Sequence, residues 1–108
     1  MPPVAFSSLC CARSYLGTGT YRAFLTTFAR AKEWAQSGPA GEIANRLADF
    51  FPGVARELLS DAVTRYQDLG CWDGDTEIPR DLYEQALTVF KSDQRIAWRH
   101  PYEEVVGR

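Results

Sequence analysis

Glycine and proline stops constrain this chain more than any other feature. Ser37-Gly38-Pro39, Pro52-Gly53, Gly70 and Ile78-Pro79 cut the sequence into lengths, each carrying one apolar helical period. Glycine suits the left-handed position just past a helix end, and proline cannot continue a helix. The spacing predicts a first helix from about Thr20 to Gln36, with Tyr21, Phe24, Leu25, Phe28, Ala31 and Ala35 on one face and Thr18 or Thr20 as its cap. A second runs from about Ala40 to Phe51, striped by Ile43, Leu47, Phe50 and Phe51. A third, Val54 to Leu69, has the widest apolar face: Ala55, Leu58, Leu59, Ala62, Val63, Tyr66 and Leu69. A fourth starts near Pro79, pre-set for a first helical turn, and ends near Lys91.

The pattern is therefore all-α: four main helices plus a short C-terminal helix around one core. The third helix is expected at its centre, packed on the other three. Residues 1–17 read as an irregular N-terminal segment and 18–108 as the helical domain. Pro101-Tyr102-Glu103-Glu104-Val105-Val106 reads as the short last helix. No segment alternates strictly enough to demand a strand, though Arg95–Arg99 could form one. A chain of 108 residues has room for one modest core.

Charge narrows the partners. The net charge is −2, which argues against wholesale binding to phosphate backbones. Residues 1–56 carry +3 and residues 57–108 carry −5. That asymmetry, with aromatic residues at 13% of the chain, leads us to expect a homodimer. No apolar run approaches the length of a membrane span. The stretch from Met1 to Cys10 lacks a basic start and is broken by prolines and serines, so no export signal is expected and the chain as given would stay in the cytoplasm.

Catalytic and metal motifs are thin. Cys10, Cys11 and Cys71 have no metal-binding spacing and are expected as free thiols. His100, the one histidine, has no nucleophile beside it in sequence and reads as a surface residue. Asp73-Gly74-Asp75 invites comparison with a calcium loop. In that alignment, however, Cys71, Thr76 and Leu82 stand where a ligand, the turn glycine and a bidentate glutamate belong. A solvated acidic turn fits better. We expect no metal, no cofactor and no enzymatic activity. Gly17-Thr18-Gly19-Thr20 leads into a helix whose first N–H groups can face an anion.

Two resemblances bear on function. The segment from Glu42 through Val54 to Leu58 looks like a helix-turn-helix, with Ile43, Ala44, Leu47, Val54 and Leu58 at the spacings of its shared core. Ala48 stands at the turn glycine, and the would-be recognition helix offers only Arg56 and Arg65 among acidic and neutral residues. DNA binding is therefore the alternative reading, beside a small homo-oligomeric interaction protein.

The second resemblance covers residues 20–106. Tyr21-Arg22-Ala23-Phe24 opens a helix carrying Ala31 and Trp34, and Pro39 precedes Glu42-Ile43-Ala44. Phe50-Phe51-Pro52 precedes a long helix ending Arg65-Tyr66. Leu69-Gly70-Cys71-Trp72 leads through an acidic loop to Ile78-Pro79, and Phe90 ends the next helix before Pro101-Tyr102-Glu103-Glu104-Val105-Val106. In this order the motifs resemble the C-terminal helical part of the periplasmic substrate-binding proteins of ABC importers, the nitrate, sulfonate, taurine and thiamine-pyrimidine group. The resemblance implies a non-catalytic solute-binding component, a fragment or degenerate descendant of such a protein. A full-length member would be periplasmic. It would take a small anion or a heterocyclic solute, and here only together with the α/β lobe that these residues do not include. Tyr21 and Arg22, beside the glycine-rich turn, are the candidate ligand-binding residues. Trp34, Trp72 and Tyr102 fit the family pattern as packing residues.

Overall fold

A computed structural model describes residues 8–106. It is all-α, with five helices and no strand among the described residues. The helices are α1 (Gly19–Ser37), α2 (Ala40–Leu47), α3 (Arg56–Asp68), α4 (Arg80–Ser92) and the short α5 (Tyr102–Val105). Single 3-10 turns lie at Arg13–Tyr15 and Ala48–Phe50. The first of these lies in the segment read as irregular, whose first seven residues fall outside the described ones.

The stops act as the sequence suggests. Thr18 caps α1: its Oγ1 accepts the Tyr21 N–H at 3.1 Å, as a helix-start threonine does. At the other end, the Gly38 N–H donates to the Trp34 carbonyl at 2.7 Å. A Cβ on Gly38 would stand 2.6 Å from that same carbonyl oxygen, a backbone atom that cannot swing away. Only glycine closes the helix this tightly. Pro39, Pro79 and Pro101 each sit one residue before their helix with extended ψ. Their carbonyls accept the first helical bonds, from Ile43, Tyr83 and Glu104. Pro79 is thus the cap residue of α4 rather than its first helical residue.

Gly70 ends α3 in the left-handed region at φ 68°. Its N–H donates to Gln67, and the Cys71 N–H reaches back to Tyr66, both at 3.0 Å, which is a Schellman closure. The end of α4 repeats the motif with Gln94 in the glycine position, at φ 58°. The Arg95 N–H is drawn back to the Phe90 carbonyl at 2.8 Å. Arg95–Arg99 is therefore bend and loop, not the strand its alternation suggests.

The chain divides into two compact units, and the division falls inside α1. Ala23–Thr76 make one unit. Here α2 packs along α3, and Ile43, Ala44, Leu59 and Val63 are buried. Ala44 has no exposed surface, as a small residue under a close helix crossing should. The described residues of Met1–Arg22 and Glu77–Arg108 make the other unit. In it α5 lies against α4, with Ala86 and Tyr102 buried.

Several side chains expected inward are exposed. Phe50 and Phe51 leave the α2 stripe because the helix ends at Leu47 and a 3-10 turn carries them out. On α3, successive residues are about 100° apart. Leu59 and Val63 are buried, whereas Leu58, Tyr66 and Leu69 lie outside the covered sector. The third helix's apolar face is wider than its coverage. Phe24 is also exposed and stacks on Phe28 with ring centroids 5.8 Å apart.

Candidate functional site

Tyr21 and Arg22 lie in the first turn of α1, one side chain half-buried and the other exposed. Gly17 turns the chain at φ 82° into the helix. The Thr18 hydroxyl donates to the Tyr15 carbonyl at 2.8 Å while its oxygen receives the Tyr21 N–H. The Tyr21 ring meets Tyr15 edge to face at 6.1 Å. Arg22 folds back, and its Nη1 donates to the Gly17 carbonyl at 2.7 Å. The guanidinium is thereby held over the glycine turn. This places a fixed cation and a phenol side by side in sequence at a helix start, where the helix dipole also favours negative charge.

The acidic loop is built around a cation of its own. Lys32 Nζ on α1 donates to the backbone carbonyls of Asp73, at 3.4 Å, and of Asp75. The Asp73 carboxylate accepts the Gly74 N–H at 2.8 Å. No cluster of potential metal ligands is present among the described residues. Cys10, Cys11 and Cys71 are free and exposed. His100 is exposed too, and its ring lies 4.0 Å from that of Trp98.

A second polar cluster, which the sequence reading missed, ties α1 to α3. The Gln67 amide donates to the carbonyls of Ala35 and Gly38, both at 2.8 Å. The Gln36 amide donates to the Gln67 carbonyl at 2.7 Å, and its oxygen accepts the Trp72 N–H at 3.2 Å. Gln67 thus satisfies two carbonyls where α1 ends, and Gln36 adds a second donor to the Gln67 carbonyl, which also accepts the Gly70 N–H. The signal was present in the sequence: each glutamine stands within three residues of a helix-ending glycine. Trp72 in turn meets Tyr66 edge to face at 5.6 Å. Gln67→Ala is expected to destabilise the protein by about 2 kcal/mol, since it orphans two part-buried carbonyls. Urea unfolding followed by circular dichroism reads this directly; an unchanged midpoint would show that water replaces the amide without loss.

The C-terminal residues are pinned by a third cluster. The Tyr102 hydroxyl donates to the Ile78 carbonyl at 2.6 Å, and its ring lies 5.4 Å from Tyr83 and 4.5 Å below the Arg80 guanidinium. Arg80 pairs with Glu103, and that bond raises its already high pKa. Arg99 pairs with Glu84 at 2.5 Å and donates to Thr88 at 3.0 Å. The Tyr83 hydroxyl donates to the His100 carbonyl at 2.7 Å. Partial burial, and then Glu84, push the Tyr83 phenol above its ordinary range. Tyr102 is buried, and its hydroxyl is engaged within the fold.

No model of a known protein family matches the chain, and no curated protein or solved structure matches it. No helix among the described residues is long and apolar enough to cross a membrane.

Proposed function

We propose that this chain is the helical C-terminal part of a solute-binding component of an ABC importer, without catalytic activity of its own. What carries the reading is the placement of the resembling motifs. Pro39, Pro79 and Pro101 each precede a helix. Phe50-Phe51-Pro52 occupies the connection before α3, and Phe90 lies in the last turn of α4. Tyr66, Trp72 and Tyr102 hold helix ends and loops together. On the resemblance, the order of these residues supports a helical scaffold of the same kind. Bound to an α/β lobe, the start of α1 would present Tyr21 and Arg22 to a small anion or an anionic group of a heterocyclic solute.

The test is a chimera in which residues 18–108 replace the helical C-terminal part of a taurine-binding protein. Titration calorimetry is expected to show taurine binding, weakened roughly tenfold or more by Arg22→Ala through loss of a charged hydrogen bond. A chimera that is helical and cooperative in unfolding yet binds no taurine contradicts the solute-binding reading. Equal affinity with Arg22→Ala removes the role of Arg22 alone.

A further inference from the structure

An exposed, self-complementary apolar stripe runs along α3 beside its charged outer residues, and we propose that it is the surface on which a second copy of this chain docks. Leu58 is 61% exposed, Tyr66 51% and Leu69, the residue that ends the helix, 75%. With Ala62 between them they form one stripe along the helix, since their spacings of four, four and three residues stay on one side. The stripe is about 16 Å long, and apolar residues grouped in this way, unlike ones scattered singly, are candidates for an interaction site.

The charges choose the occupant. Arg65 stands within the stripe and Asp61 at its edge, and among the described residues neither makes an ion pair. When two copies of α3 cross antiparallel about a two-fold axis near residues 63 and 64, Leu58 of each meets Leu69 of the other. The same register sets Asp61 of each opposite Arg65 of the other. One placement thus pairs both the apolar ends and the central charges, as an isologous interface requires. Glu57 and Asp68 lie farther round the helix, toward solvent, where like charges repel weakly. Self-association through α3 needs no solute and does not depend on the transport reading.

Sedimentation equilibrium of the whole 108-residue chain is expected to show a dimer. Asp61→Arg sets arginine against Arg65, and Arg65→Asp sets aspartate against Asp61. Each is expected to weaken the dimer at least roughly tenfold. Mixing the two variants restores both opposite-charge pairs, so an equimolar mixture is expected to dimerise where neither variant does alone. Circular dichroism checks that each variant keeps its helicity. A monomeric wild type overturns the proposal. So does a dimer indifferent to both substitutions, or a mixture no tighter than its components.

Discussion

Replacing Ile43 by alanine is expected to lower the unfolding free energy by about 3 kcal/mol, from the lost transfer energy and the cavity it leaves. Among the described residues, Ile43 is the largest side chain that is almost wholly enclosed, at 2% exposure. It lies in the first turns of α2, beside Ala44 and in the unit where α3 contributes Leu59 and Val63. With so few enclosed side chains in this unit, each carries a large share of the packing. The cavity would also sit next to the Trp34–Gly38 turn, since a Cβ on Gly38 would stand 3.3 Å from Ile43 Cδ1. Ile43→Val removes one methylene and should cost about 1 kcal/mol. Chemical denaturation of both variants checks the gradient. Equal midpoints for wild type and Ile43→Ala would show that α2 and α3 are not held together by this residue.

Tyr102→Ala is expected to cost about 4 kcal/mol. Its ring is enclosed, packs on Tyr83 and lies under Arg80, and its hydroxyl ties α5 to the Ile78 carbonyl just before α4. A helix as short as α5 cannot hold itself, so its order depends on this anchor. Tyr102→Phe separates the contributions: it keeps the ring and should lose only about 1 kcal/mol with the hydrogen bond. Hydrogen exchange at the Glu104 and Val106 amides, which bond to Pro101 and Tyr102, should rise sharply in the alanine variant. Protection equal to wild type there would show that the tail is held by other contacts, such as the bond from Arg13 to the Glu104 carbonyl.

Helix ends were the most legible part of this chain because glycine and proline act locally. Gly70 needs only its own φ to stop α3, and Pro39 only its own ring to precede α2. Burial was less legible because it depends on what an apolar face meets. The third helix showed a broad apolar face, and nothing in its period distinguished Leu59, which is buried, from Leu58, which is exposed. Phe50 read as helical stripe because a period cannot register that a 3-10 turn begins at Ala48. Tyr21 and Arg22 were legible as residues of a helix start, and the fold-back of Arg22 onto Gly17 is a rotamer no spacing encodes. The Gln36–Gln67 cluster went unread because glutamine on a helix is usually a solvated residue. Here the end of α1 leaves carbonyls that the Gln67 side-chain amide reaches.

The central claim, that this chain is the helical part of a solute-binding clamp, is tested most directly by reading the genomic DNA upstream of the Met1 codon in all three frames. The account predicts coding sequence there for an export signal and an α/β lobe, in frame or displaced by a frameshift. A promoter close upstream, with no such lobe in any frame, would contradict it and leave a free-standing helical protein.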